Sequence, residues 1–376
     1  MTSILLVPFH PPGHTEPMSA LAGQLRAAGH EVTTFSEETA SRWCPDAPIP
    51  PHLYAADSAT LFRHIFLGDL EAMVRDIVDL AYDCGAELIV ADVMAAGGAL
   101  AAQRIDLPWV SLSFSPVPAL DSYRTFLPPH AVDSFAPHRV LAALGLPDDD
   151  VSLLGRTSPQ LHLIPTTARF AGAHRLPDEV ALVGPFAEVP PPRTRPGGRP
   201  VVVVSASTNA PINLGVRALV QDRYVAAAVQ ALAGLPVDGL VTHGGAGLAQ
   251  TGPIPDNVRL LGRTPHDELF DRASAVVTHA GWGTVCRALV RGLPLVLVPI
   301  FADQPYIATR CAELGLGIAL DADTVTATEL RDAVRAVVEE PRYRQAAQEV
   351  AGELRAMAPL ATAADLITAS LQPSEG

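Results

Sequence analysis

Lysine is missing from this chain, so all 26 of its basic residues are arginine. That absence excludes a P-loop, which needs a lysine against the phosphates, and any Schiff-base chemistry, which needs a free amine. A GC-rich coding sequence yields the same arginine-only set with no functional cause. Cysteine is scarce: Cys44, Cys84, Cys286 and Cys311 are dispersed without CxxC spacing, and reduced structural thiols are the expectation. No apolar run approaches the ~20 residues of a membrane helix, and the opening MTSILLVPFHPPG lacks a basic n-region, so a cytoplasmic protein with no membrane span is expected. Positive charge is also short. The net charge of −14 argues against a nucleic-acid partner, whose footprint is clustered positive charge.

What is present fits a well-packed chain. With 376 residues, 48% of them hydrophobic and 18% charged, it is long enough for two domains with separate cores. SILLVPF reads as a strand, HPPGHTEP as a turn, Met18 to Ala28 as a helix closed by Gly29, and EVTTFS as the next strand. A helix near Asp69 to Tyr82, the strand ELIVAD, the small-residue helix AAGGALAAQR and the strand PWVSLSFS continue the alternation. From Pro116 to about Gln160 the pattern gives way to proline-rich segments with short helical pieces, and LHLIPTT and EVALVGP close this half. PPPRTRPGGRP can form neither helix nor central strand and reads as a linker.

Alternation then restarts with VVVVSAS, a helix from Tyr224 to Leu232, GLVTHG, NVRLLG and the short helix PHDELFDRA. The expected fold is α/β, two doubly wound parallel-sheet domains facing each other: residues 1–190, a linker at 191–200, residues 201–358, and a terminal helix at 359–376 returning to the first domain. Ligands in such sheets bind at the carboxyl ends of strands, so the cleft between the domains is the expected site.

The most informative segment runs from Val276 to Cys311. It combines a buried strand, a glycine-rich turn, an amphipathic helix, a second buried strand and the pair Asp303-Gln304. The turn His279-Ala280-Gly281-Trp282-Gly283-Thr284 sits at the positive end of a helix dipole. It can offer an imidazole, backbone N–H groups and a hydroxyl to an anion, most often a phosphate. A near-copy at Thr242 to Gly247 is followed by LAQTGPIPDN, whose glycine and prolines stop a helix, so the anion is assigned to the second copy.

Asp303-Gln304 follows a strand at the same edge and suits the hydroxyls of a sugar, although an Asp there also caps a helix. His14 follows the first strand and is a candidate general base near neutral pH, with Glu16 and His10 as neighbours able to fill the role. Asp92 ends ELIVAD. If the two strands are adjacent, its carboxylate could orient the His14 imidazole, with capping of AAGGALAAQR as the competing role. Asp321-Ala322-Asp323 carries a two-carboxylate pattern known from metal-using sugar transferases. Thr326 and Glu329 at capping-box spacing place those acids at a helix start instead, and no metal site is read there.

Taken together, NVRLLGRTPHDELF, THAGWGT, PLVLVPIFADQPYIATR and ELGLGIAL, in that order, with the weaker GHTEP and GHEVTTF near the start, resemble the nucleotide-sugar-dependent glycosyltransferases of the GT-B fold, especially bacterial enzymes that glycosylate natural products. The resemblance implies that His14 is the catalytic base and Asp92 its partner. It implies that Thr208, His279, Gly281, Trp282, Gly283 and Thr284 hold the donor diphosphate, Asp303 and Gln304 the donor sugar, and Arg263 and Thr264 the nucleobase. Ala280 in place of the usual glycine, and SAST in place of serine-leucine-glycine-threonine, depart from the pattern.

The reaction implied is inverting, metal-independent transfer of a sugar or deoxysugar from a dTDP- or UDP-sugar to a small lipophilic acceptor of aromatic polyketide or macrolide type. Linkage through oxygen or carbon remains open. No cofactor is implied beyond the nucleotide sugar as co-substrate, and a homodimer is an open alternative for assembly. Two other readings stand beside it: a nucleotide-sugar 2-epimerase of the same fold, and a non-catalytic nucleotide-sugar-binding helper subunit.

Overall fold

A computed structural model describes residues 1–9, 11–35, 69–116, 137–148, 153, 155–172, 175–187, 189–190, 198–207, 215–243, 252–262 and 264–371. The chain divides into two compact units, Met1–Phe186 with Ala358–Gly376, and Ala187–Met357. Most of the expected linker falls outside the described residues.

The first unit is built on six parallel strands, β1 (Ser3–Val7), β2 (Glu31–Thr34), β3 (Leu88–Asp92), β4 (Trp109–Leu112), β5 (His162–Ile164) and β6 (Val180–Leu182), in the order β2-β1-β3-β4-β5-β6. Its central strands are predominantly apolar because both faces are covered. Leu5, Val7, Ile89 and Ala91 pack on one face with residues of α2 (Leu70–Asp83), α3 (Ala96–Arg104) and α4 (Pro137–Leu144). Ile4, Leu6, Leu88 and Val90 pack on the other. There they meet α1 (Pro12–Ala27) through Met18, Leu21 and Leu25, and the C-terminal helix α12 (Pro359–Ala369) through Ala363, Ala364 and Ile367. A short helix, α5 (Ala168–Ala171), follows β5.

The first helix departs from the expected boundary. It begins at Pro12, not near Met18, so His14 lies in its first turn. Pro11 and Pro12 supply the φ that a helix start requires, at positions whose N–H groups would be unpaired anyway. Pro17 falls inside the helix rather than opening it. Close packing beneath this region depends on Gly98 of α3: a Cβ there would lie 2.7 Å from the Ala91 Cβ and 3.2 Å from the Val7 Cβ.

The second unit carries β7 (Val201–Ser205), β8 (Asp238–Thr242), β9 (Val258–Leu261), β10 (Ala275–Thr278), β11 (Leu295–Leu297) and β12 (Gly317–Ala319), all parallel, in the order β12-β11-β10-β7-β8-β9. Val202, Val204, Val241, Val277 and Val296 face α6 (Gly215–Leu232) and α10 (Ala327–Glu339). The remaining helices are α7 (His266–Phe270), α8 (Trp282–Leu289), α9 (Gln304–Glu313) and α11 (Pro341–Arg355). Helix α6 starts at Gly215, nine residues before the expected Tyr224, which puts Gln221 on the same helix. Thr326 and Glu329 form a complete capping box at the start of α10. The Asp321 carboxylate accepts from the Asp323 N–H at 2.8 Å.

Candidate active site

In a parallel sheet the crevice for a ligand opens where the strand order reverses direction. In the first unit that point lies between β1 and β3, which pair in register from Ile4↔Leu88 to Val7↔Ala91. His14 follows β1, Asp92 ends β3, and the two side chains meet: Nδ1 of His14 lies 2.6 Å from Oδ2 of Asp92. The carboxylate is fully buried and the imidazole is 23% exposed.

Asp92 is held as well as holding. Its Oδ1 accepts from the Met94 N–H at 2.9 Å and its Oδ2 from the Phe9 N–H at 3.4 Å. It does not cap α3, whose N-cap is Ala95 and has no side-chain cap hydrogen bond. Because a carboxylate only accepts, Nδ1 of His14 carries a proton in this contact, and in the neutral ring the lone pair is on Nε2. The Phe9 and Phe114 rings flank the imidazole edge to face, with centroids at 5.2 and 5.4 Å, and Phe114 meets Phe186 in the same manner. No sequence motif singles out these three phenylalanines. Each follows a different strand, and only the parallel topology gathers them at one edge.

In the second unit the order reverses between β7 and β10, paired from Ala275↔Val202 to Thr278↔Ser205. The turn after β10 begins with His279 and leads into α8, capped by Gly281 without any side-chain cap hydrogen bond. The N–H groups of Gly283 and Thr284 in the first turn of α8 donate to nothing among the described residues, leaving them free for an anion. Trp282 and Thr284 are nearly buried. Gly281 has no room for a side chain, since a Cβ would stand 2.4 Å from Nε2 of His279.

Ala280 takes φ 65° and Ala302 φ 55°, two of the three non-glycine residues with positive φ in the described chain. They occupy the neighbouring loops after β10 and β11, each at a cost of roughly 1–2 kcal/mol. Stored strain of this kind is characteristic of ligand sites.

His279 is enclosed, and its Nδ1 has no partner among the described residues. Burial, with a smaller contribution from the nearby His266, lowers its pKa to about 4, so the ring is neutral at physiological pH. In the first unit burial likewise lowers His162 to about 4, against a smaller raising effect of a backbone hydrogen bond with Ser111; separately, the Ser111 Oγ lies 2.8 Å from Nδ1. Both rings favour the unprotonated form when folded. Their contribution to stability is complete above the unfolded pKa near 6.5 and is lost as pH falls toward 4, on the order of 3 kcal/mol for each. Thermal melts between pH 7.5 and 4 are expected to show Tm declining mainly below pH 6.5, and His162→Asn should flatten part of that decline.

Asp303 stands at the N-cap of α9 but makes no side-chain cap hydrogen bond. Gln304 is buried, and its Oε1 accepts from the N–H groups of Ile300 at 2.8 Å and Phe301 at 3.1 Å. Its carbonyl therefore fastens the β11–α9 loop, and only its amide NH2 is left for a ligand. Thr264 lies between β9 and α7, three strands from β10, with its hydroxyl donating to Gly262 O at 3.3 Å. Thr208, Arg263 and the loop at 244–251 fall outside the described residues.

His266 is a further member; it lies inside the NVRLLGRTPHDELF segment but is not among the residues that the resemblance assigns to the site. It stacks on Phe270, and its Nε2 lies 3.0 Å from the Ser205 hydroxyl at the end of β7. Among the described residues no cluster of His, Cys, Asp and Glu could hold a metal ion, and no helix is long and apolar enough to cross a membrane. Cys84, Cys286 and Cys311 are unpaired.

Two six-stranded, doubly wound parallel sheets give this chain a fold of GT-B type, and its homologues are named as glycosyltransferases. Residues 240–368 match the family described as erythromycin biosynthesis protein CIII-like, C-terminal domain. Glycosyltransferases of antibiotic biosynthesis are homologues of this chain. It is 27% identical to 4'-demethylrebeccamycin synthase from Lentzea aerocolonigenes, across 94% of this chain and 96% of that one. It is 31% identical to demethyllactenocin mycarosyltransferase from Streptomyces fradiae, across 63% of this chain and about half (51%) of that relative. The crystal structure of glycosyltransferase VinC in complex with dTDP superposes with a TM-score of 0.70, covering 98% of this chain and 99% of that one at 22% identity.

Proposed function

We propose that this enzyme moves a sugar or deoxysugar from a dTDP- or UDP-sugar to a small lipophilic natural-product acceptor, with inversion at the anomeric carbon and without a metal. The observation that carries this reading is the 2.6 Å contact between His14 Nδ1 and the buried Asp92 carboxylate. It leaves Nε2 of a half-enclosed imidazole as a base, with a counter-charge ready for the imidazolium.

In the reaction, the acceptor oxygen forms its bond to the anomeric carbon while its proton passes to Nε2 of His14. The bond from that carbon to the diphosphate oxygen breaks, and the electron pair leaves with the nucleotide diphosphate. That growing charge is met by the free N–H groups and dipole at the start of α8, with neutral His279 beside them. Because these donors meet the charge, the reading assigns no metal. Asp303 and the remaining NH2 of Gln304 are assigned to the sugar, Thr208 to a phosphate, and Arg263 and Thr264 to the base.

The dTDP donor is supported by the ligand of the VinC structure. A lipophilic acceptor is supported by the Phe9, Phe114 and Phe186 rings grouped with His14. Calorimetry with dTDP and UDP, then mass spectrometry of acceptor mixtures incubated with nucleotide sugars, tests the reading. A mass gain of one sugar residue on an acceptor, undiminished by EDTA, is expected. Free epimerised sugar formed without any acceptor would replace this reading with an epimerase. Nucleotide binding with no turnover across a broad panel would replace it with a helper subunit.

A further inference from the structure

The β7 ladder runs out at the end of the strand, beside β10. The last ladder-type bond is from the Ala206 N–H to Thr242 O, at 3.3 Å. One residue further, Ser207 is buried, and its backbone is paired by a side chain from helix α6. The Ser207 N–H donates to Gln221 Oε1 at 2.8 Å, and Gln221 Nε2 donates to Ser207 O at 3.1 Å. The Gln221 amide thus does for Ser207 what a neighbouring strand would do. One turn along α6, the Tyr224 hydroxyl donates to Ser205 O at 2.5 Å.

Gln221 and Tyr224 are 1% and 0% exposed. Polar groups buried this deeply are costly unless fully paired, and here both faces of the amide serve one residue. The core could be filled more cheaply by apolar side chains. The return on the buried amide is a fixed backbone at a place where the sheet no longer fixes it. That place is the switch point itself, beside β10 and the turn at His279, and Thr208 follows at once in sequence.

We propose that Gln221, assisted by Tyr224, is a positioning residue for the donor phosphates. It touches no substrate and acts by fixing the Ser205–Ser207 backbone beside β10 and the turn at His279. Gln221 carries a second consequence for the SAST departure. With the backbone clamped on both its donor and its acceptor, Ser207 can carry a side chain where the family pattern has glycine, because the clamp supplies the rigidity and the residue needs no unusual φ.

This inference rests on the donor reading above, and the test separates the two. Binding of dTDP and of thymidine is measured by calorimetry, the weaker ligand by competition, for wild type, Gln221→Met and Tyr224→Phe. Methionine keeps the length of the side chain and deletes both hydrogen bonds. Phenylalanine deletes only one hydroxyl and keeps the ring, so it covers the case in which Gln221→Met does not fold. The expected result is a loss of dTDP affinity of roughly 10- to 30-fold for Gln221→Met and about 3- to 10-fold for Tyr224→Phe. Thymidine affinity should stay within about twofold in both, and the donor KM should rise while kcat at saturating donor is held. A generally loosened unit would weaken both ligands alike, and that outcome, or unchanged dTDP binding in either variant, overturns the inference. Wild-type protein that binds neither dTDP nor UDP overturns the donor reading and this inference with it.

Discussion

His14→Ala is expected to lower kcat by about two to four orders of magnitude while dTDP affinity stays within about twofold. Deleting a general base removes an interaction made only as the acceptor proton moves, so the loss appears in turnover, whereas the turn at His279 to which the diphosphate is assigned belongs to the other unit. Asp92→Asn should approach the same loss by a different route. An amide can donate to Nδ1, which would put the imidazole proton on Nε2 and remove the lone pair that accepts the acceptor proton. The substitution also has a folding cost. The Asp92 oxygens accept from the N–H groups of Met94 and Phe9 as well as meeting His14, and an amide oxygen cannot serve all of them. A destabilisation of ~1–3 kcal/mol is expected from the N–H left unpaired, and Tm should be read beside the rates. A folded, dTDP-binding His14→Ala protein with wild-type turnover across the acceptor panel would end the assignment of His14 as base.

Much of this pair is legible in the sequence, because its positions follow from simple rules. A short, mostly apolar strand followed by a His-containing turn, and another ending in Asp, put both groups at carboxyl ends. Only the strand order is missing to bring them together. The helix start is not legible in the same way, because HPPGHTEP with its three prolines reads as a turn while Pro11 and Pro12 are the residues that open the helix. Sequence periodicity does not distinguish between prolines that each fit a first turn.

The turn at His279 is the clearest signal in the chain, since a strand, two glycines and an amphipathic helix leave few alternatives. Its supports cannot be read in that way. Gln221 and Tyr224 sit on a helix whose first nine residues carry no recognisable start signal, and nothing in their spacing says that their partners lie on a strand end 14 to 19 residues earlier. Likewise, Asp303-Gln304 reads as two sugar ligands. The fold shows that half of the Gln304 amide is committed to its own loop, a backbone interaction that no side-chain motif announces.

Gly281→Ala is the substitution expected to do most damage on the donor side, and its neighbour Gly283→Ala shows why. At position 281 the added methyl would lie 2.4 Å from Nε2, 3.2 Å from Cδ2 and 3.3 Å from Cε1 of His279. The imidazole is only 7% exposed and has little room to swing aside. Either the ring is displaced, which takes the imidazole out of the turn, or the start of α8 moves and shifts the free N–H groups of Gly283 and Thr284 with it. Overpacking at such a contact costs roughly 1–3 kcal/mol of stability. A displacement near 1 Å of the donor-binding groups is expected to lower dTDP affinity about 10- to 100-fold.

At position 283 the new methyl meets only Nη1 of Arg287 at 3.6 Å, an ordinary contact, and alanine is the better helix former by about 1 kcal/mol. Gly283→Ala should therefore match or exceed wild-type Tm, and any affinity it loses reports crowding of the ligand itself, not strain in the protein. Melting curves and dTDP calorimetry on the two variants distinguish a glycine kept for the fold of the turn from a glycine kept for its ligand. Wild-type dTDP binding by Gly281→Ala would mean that His279 and the helix start are not coupled, and the anion would then have to be held by other groups.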